Sequence, residues 1–241
     1  MSRSLKYDIP GVDPRVPISD VADKGWPALF GRSRRQGGQG EEEAGAQEQS
    51  AAEPARVLEI GFGRGEFLLE MARRSPEVEF VGLEISYKRT LKMARKVARA
   101  GFENVRLIEG LAEQAIQQLF DPGSLDEIWI NFSDPWPKRR HAHRRVIQPG
   151  FLGDAAVALR PGGTLFVATD DVPYAHQINE AFLGSTRLEN VYAPWPFLAE
   201  VRDRFQTGYE EQWRAEGRPI HFFAYRPRDQ ASTSSDTGAS R

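Results

Sequence analysis

Short apolar runs that alternate with helical patterns constrain this chain more than any other feature. Arg56–Ile60 (RVLEI) is an apolar run ending in a glycine cluster, as expected of a strand buried on both faces. The pattern then repeats, with helix over Glu66–Arg74, strand over Val78–Leu83, helix over Tyr87–Ala100 and strand over Val105–Ile108. A helix near Ala112–Phe120, a strand over Glu127–Phe132, a helix around Gly150–Leu159, a strand over Gly163–Thr169 and a helix over Tyr174–Leu183 continue it. A last strand is expected at Pro219–Tyr225. Strand and helix taking turns predict an α/β fold, a mainly parallel sheet covered by helices on both faces through right-handed crossovers. Ligands of such sheets bind beyond the carboxyl ends of the strands, so the strand ends are where chemistry is expected.

Composition sets the boundaries. Gly31–Pro54 lacks any apolar residue larger than alanine and is rich in Gly, Glu and Gln. Such a stretch buries too little surface to offset its ordering entropy. We therefore expect an N-terminal extension over 1–30, a flexible low-complexity linker over 31–54, a main domain over 55–226 and a disordered tail over 227–241. The chain has no cysteine, which excludes disulfides and thiolate metal sites. The start, MSRSLKYDIPGVDP, has no apolar leader, and no run reaches the roughly 20 apolar residues of a membrane helix, so a soluble cytoplasmic protein is expected. The formal net charge of −2 hides segregation, because the acidic run Glu41–Glu43 offsets basic clusters at Lys88–Arg99 and Lys138–Arg145. A local basic surface on a nearly neutral protein follows.

The first strand runs directly into Glu59-Ile60-Gly61-Phe62-Gly63-Arg64-Gly65. Glycines there allow a sharp turn and close approach of a ligand to the backbone. The spacing is G-x-G-x-G, not the G-x-G-x-x-G of dinucleotide folds, which puts a dehydrogenase behind. The acidic Glu59 before the first glycine would repel a phosphate but suits the positive amino-acid end of S-adenosylmethionine. Glu84, at the end of the second strand, stands where an acid accepts hydrogen bonds from ribose hydroxyls. Adenine is then expected near the end of the third strand, at Glu109-Gly110-Leu111-Ala112, where backbone amides and apolar contacts can hold it.

The fourth strand delivers Asn131-Phe132-Ser133-Asp134-Pro135-Trp136-Pro137-Lys138, followed by Arg139-Arg140-His141-Ala142-His143-Arg144-Arg145. The two prolines stiffen the backbone and forbid helix just past the strand end. Asp134 and Trp136 suit a flat, proton-bearing base, the carboxylate accepting from its N–H groups and the ring stacking on its face. The basic run directly behind favours phosphate binding. Helix Tyr87–Ala100 adds a second basic surface, with Lys88, Lys92, Arg95, Lys96 and Arg99 on one face and Leu91, Ala94 and Ala98 opposite; a plain amphipathic helix reads the same way. Asp170 ends the fifth strand. Thr207-Gly208-Tyr209-Glu210 precedes the last strand, and as a T-x-x-E pattern it is equally a helix cap. His141 and His143 lie in a run that would repel a cation, so no metal is expected.

The combination LEIGFGRGEF, VGLEIS, NFSDPWPKRRHAHRR, ATD and TGYE closely resembles the bacterial tRNA (guanine-N7)-methyltransferases over Arg56–Arg226. The resemblance implies a class I methyltransferase, Rossmann-like fold with a seven-stranded sheet, S-adenosylmethionine as methyl donor, and the variable-loop guanine of tRNA as target. It implies Asp134 as the acid at the cofactor–substrate junction, a catalytic residue that also contacts the cofactor. Glu59, Gly61, Gly63, Glu84 and Leu111 fall at cofactor-binding positions. Lys138, Asp170, Thr207, Gly208, Tyr209 and Glu210 fall at substrate-binding positions, and Arg140, His141, His143, Arg144 and Arg145 in the RNA-contacting stretch. Leu111 departs from the Asp or Asn common in the family; Glu113 does not have the spacing to replace it. Monomer and homodimer both remain open, and the rival readings are a methyltransferase for a small molecule or protein and a non-catalytic RNA-binding module.

Overall fold

The computed structural model of the protein describes residues 8–32 and 53–229. Its sheet has seven strands: β1 (Arg56–Ile60), β2 (Glu79–Glu84), β3 (Val105–Glu109), β4 (Leu125–Asn131), β5 (Leu159–Thr169), β6 (Leu188–Asn190) and β7 (His221–Pro227). They lie in the order β3-β2-β1-β4-β5-β7-β6. The first five pair in parallel, whereas β7 runs antiparallel to β5 and β6 antiparallel to β7. The order turns back between β1 and β4, so the ends of these two strands flank the crevice in which such sheets bind ligands.

Helices α1 (Ile18–Leu29), α2 (Glu66–Arg74), α3 (Tyr87–Ala100), α4 (Ala112–Leu119), α5 (Pro149–Ala158), α6 (Val172–Leu183) and α7 (Gly208–Ala215) complete the fold. Side chains alternate across each strand, so the sheet feeds two cores. Leu58, Ile60, Ile128, Ile130, Leu165 and Val167 pack beneath α1, α4, α5 and α6, while Val57, Phe80, Val105 and Leu107 pack beneath α2 and α3. Helices thus cover both faces, as the alternating pattern requires.

Local chemistry explains where the elements differ from expectation. Strand β4 stops at Asn131 because Phe132 turns to a left-handed φ of 54°. Leu159, expected at the end of a helix, instead opens β5, which crosses Arg160–Gly163 through a register shift opposite Leu125 and Glu127. Helix α6 begins at Val172, not Tyr174, because the Asp171 side chain accepts from Tyr174 N at 2.8 Å and caps it. The last strand lies two residues later than expected and includes Pro227.

The N-terminal segment is part of the domain. Val16 N donates to Leu107 O at 2.8 Å and Leu107 N to Pro14 O at 2.9 Å, so the chain pairs along the free edge of β3. Helix α1 breaks at Gly25 (φ 72°) and inserts Trp26 into the core, where its Nε1 donates to Leu119 O at 2.8 Å and its ring stacks on Phe120. The linker expected over 31–54 falls mostly on residues outside those described, as do all but the first residues of the expected tail.

Candidate active site

The site is built at the carboxyl ends of β1, β2, β3 and β4. After β1 the chain turns through Gly61, Gly63 and Gly65, with φ of 73°, 53° and 73°. The three have different reasons to be glycine. A Cβ on Gly65 would run into Met93 of α3, so this residue lets α2 and α3 pack. A Cβ on Gly61 would meet nothing within 4 Å, and one on Gly63 only its own turn at 3.8 Å. Open space over a left-handed backbone is what a ligand lying on the turn needs.

Glu59 is 2% exposed on β1, on the sheet face shared with α2 and α3. Its Oε1 accepts from Asn131 Nδ2 at 3.3 Å, while Oε2 is buried without a partner. Burial pushes its carboxyl up to about 7, against the opposing pull of Asn131 and the Arg204 charge. An unpartnered buried oxygen on a carboxylate beside the glycine turn fits a cationic group such as the ammonium of S-adenosylmethionine. Glu84, at the end of β2, accepts from Gly63 N at 3.2 Å and Ser86 N at 3.0 Å. Next to it Ile85 is 64% exposed, and Leu111, at the end of the adjacent β3, is 45% exposed. These two aliphatic side chains, exposed beyond neighbouring strand ends, leave apolar surface there of the kind a purine ring can meet. Ile85 went unnoticed in the sequence, since an isoleucine after a strand carries no signal until its exposure is seen.

The loop after β4 is held in a strained form. Phe132 and Trp136 both take left-handed φ, 54° and 42°. Asp134 is exposed and its Oδ1 accepts from Trp136 N at 3.0 Å, an Asx turn that aims the loop. Phe132 N donates to Ala168 O at 2.8 Å, so the loop leaves beside the end of β5, which carries Asp170 two residues further on. Asp170 Oδ2 accepts from Arg218 Nη1 at 3.0 Å, and Arg218 in turn lies over the Trp213 ring.

Lys138 leads into a 3-10 helix, Arg139–Arg144, none of which is buried. Lys138, Arg139, Arg140, His143 and Arg144 are exposed. Arg144 lies 4.9 Å over the Trp136 ring, and His141 meets that ring edge-on at 5.7 Å. Arg145 is different: it is half-buried, its Nε donates to Pro135 O at 2.7 Å, its Nη2 to Trp136 O at 3.4 Å and its Nη1 to Gln177 Oε1 at 3.4 Å. Its guanidinium faces the loop.

Thr207 caps α7, its Oγ1 accepting from Glu210 N at 3.2 Å, so the capping geometry of the T-x-x-E pattern is realised. Gly208 N donates to Glu66 Oε2 at 2.8 Å, which ties α7 to the residue directly after the glycine turn. Tyr209 stays 40% exposed against Phe132 at 5.6 Å. Glu210 is 1% exposed and ion-paired with Arg204 and Arg214. Asn131, at the head of the Asn-Phe-Ser-Asp-Pro-Trp-Pro segment, and Arg204, which lies in no motif, join this cluster to Glu59; their pairing was missed in the sequence because only the fold makes it. Among the described residues no cluster of His, Asp or Glu is suited to a metal, and no helix is long and apolar enough to cross a membrane.

A parallel sheet with an antiparallel β7, a glycine turn after β1 and acids at the ends of β1 and β2 define a class I methyltransferase fold. Residues 53–223 match a family model described as putative methyltransferase. The chain belongs to the tRNA (guanine-N7)-methyltransferase family. It is 38% identical to the tRNA (guanine-N(7)-)-methyltransferase of Halorhodospira halophila over 173 residues, 72% of this chain and 75% of that one. It is also 38% identical to the enzyme of that name from Thermotoga maritima, over 67% of this chain but 50% of the relative, so it spans about half the length of that protein. Among solved structures, the 16S rRNA methyltransferase KamB aligns with a TM-score of 0.53 at 17% identity, covering 72% of this chain and 88% of that one. The geranyl diphosphate C-methyltransferase from Streptomyces coelicolor A3(2) aligns with a TM-score of 0.51 at 14% identity, covering 72% and 74%. Such distant likenesses show the fold alone.

Proposed function

We propose that the protein transfers a methyl group from S-adenosylmethionine to N7 of a guanine in the variable loop of tRNA, acting in the cytoplasm. The observation that carries this reading is the loop after β4, which holds Asp134 at the carboxyl end of the sheet, beyond the strand that neighbours β1 and its glycine turn, with a basic 3-10 helix immediately behind it. S-adenosylmethionine, when bound, supplies a sulfonium-activated methyl group. Glu59 holds the ammonium of its amino-acid end, Glu84 accepts from the ribose hydroxyls, and Ile85 and Leu111 flank the adenine. An exposed, apolar Leu111 can meet the base without a polar side chain there.

Guanine N7 has a lone pair and no proton, so no general base is needed. The N7 lone pair would form the new N–C bond as the bond from the methyl carbon to sulfur breaks, the electron pair staying on sulfur and leaving neutral S-adenosylhomocysteine, so that the positive charge passes to the base. Asp134 and Asp170 accept from the guanine edge and stabilise that charge where it develops. Arg218, which occupies one oxygen of Asp170, leaves the other for the base. Tyr209 provides an exposed ring beside Phe132, and the paired Glu210 supports the segment from beneath. Lys138, Arg140, His141, His143 and Arg144 meet the RNA backbone.

The test uses unmodified tRNA, methyl-labelled S-adenosylmethionine and identification of nucleosides after digestion. Label is expected in 7-methylguanosine. Label in another nucleoside overturns the target, and transfer only to a protein or small molecule overturns the substrate class.

A further inference from the structure

A partly buried chain of polar contacts runs from the proposed cofactor acid to the segment proposed to face the substrate. Asn131 Nδ2 donates to Glu59 Oε1 at 3.3 Å, and Asn131 Oδ1 accepts from Arg204 Nη2 at 2.7 Å. The other arm of the Arg204 fork donates to Glu210 Oε2, and Arg214 holds the second oxygen of Glu210 at 3.2 Å. The Arg204 side chain is 5% exposed, with its guanidinium over the rings of Phe67 of α2, at 5.7 Å, and Phe222 of β7, at 5.0 Å. A guanidinium only donates, so the oxygen of the Asn131 amide must face Arg204 and its NH2 must face Glu59. The orientation of Asn131 therefore satisfies one oxygen of Glu59 and leaves Oε2 unpartnered.

We propose that Arg204 is a positioning residue that couples the cofactor acid to the substrate-binding segment, orienting Glu59 through Asn131 and fixing Thr207–Glu210 through Glu210. This rests on the assignment of Glu59 to the cofactor. A second link runs alongside, since Glu66 at the start of α2 accepts from Gly208 N. Occupation of the glycine turn is thus felt at the start of α7, and a change at Glu210 is felt at Glu59.

The experiment reads binding of S-adenosylhomocysteine by calorimetry, without tRNA, in the full chain and in Glu210→Gln and Arg204→Lys, each checked for folding by circular dichroism. Glu210→Gln lies on the substrate side, yet affinity is expected to fall on the order of 5-fold, with a larger fall for Arg204→Lys, which keeps the charge but loses the fork. Hydrogen exchange on the unaltered protein needs no variant: S-adenosylhomocysteine is expected to slow exchange of the Gly208–Arg214 amides. Unchanged affinity in a folded variant, or unchanged exchange in α7, overturns the coupling and leaves the cofactor site standing. Failure of the unaltered protein to bind S-adenosylhomocysteine overturns the cofactor reading and the coupling with it.

Discussion

Arg145 Nε donates to the carbonyl of Pro135 at 2.7 Å, tying the last residue of the basic stretch back to the loop that carries Asp134. Arg144, its neighbour in sequence, is exposed over the Trp136 ring. Two adjacent arginines thus have different tasks, and their alanine variants separate them. Arg144→Ala is expected to weaken tRNA binding and lower the salt slope by about one. Arg145→Ala is expected to cut kcat on the order of 10²-fold by releasing the loop, with the salt slope nearly unchanged. Binding titrations over a range of salt, run beside steady-state kinetics, check both.

Asp134→Ala should cost roughly 2–4 kcal/mol of transition-state stabilisation, on the order of 30- to 1,000-fold in kcat. Cofactor affinity measured by calorimetry should change far less. Near-normal turnover on unmodified tRNA would remove Asp134 from the chemistry.

The Glu59 carboxyl is raised from an ordinary 4.5 to about 7 by burial. An acid whose folded value is raised binds its proton more tightly in the native state. Its contribution to stability is therefore full below pH 4.5, lost as pH rises to about 7, and level above. The difference is on the order of 3 kcal/mol, so Glu59→Gln without cofactor should melt higher than the parent at pH 8. With Glu59 as the proposed partner of the cofactor's ammonium, cofactor binding should have the opposite pH dependence, because the ammonium needs the ionised acid. Affinity for S-adenosylhomocysteine should fall as pH drops through about 7 in the parent, and be weak and much flatter in Glu59→Gln.

Gly65→Ala and Gly63→Ala should fail in different ways. Both force a non-glycine residue to a left-handed φ, which costs about 1–2 kcal/mol. At Gly65 the new methyl also collides with Met93 and should add about 1–3 kcal/mol of overpacking, visible as a drop in Tm. At Gly63 the methyl enters open space, so the protein should stay folded while losing S-adenosylhomocysteine binding.

Much of the fold and part of the site were legible in the residues themselves. The apolar runs of β1 to β5 predict a parallel sheet because strands covered by helices on both faces favour such runs, and the G-x-G-x-G turn after an acid predicts a ligand-binding turn by local geometry alone. The Asp-Pro-Trp-Pro loop is equally local, since proline restricts its own backbone wherever it falls. Helix α1, β6 and α7 were not read, for their short patterns become structure only when packed. Trp26 has no meaning in isolation; its place is made by Leu119 and Phe120, some ninety residues away in the chain.

What the chain determined by itself was the periodic pattern and the residues at each strand end, because dihedral preference and burial on a sheet are properties of short segments. What only the tertiary structure decided was which charges face water and which face one another. Arg144 and Arg145 are alike in sequence, yet one is exposed and the other clamps the loop. Asn131 and Glu210 stand in separate motifs and Arg204 in none, so their pairing is hidden until folding brings them to one largely buried site, where desolvation makes each depend on its partner.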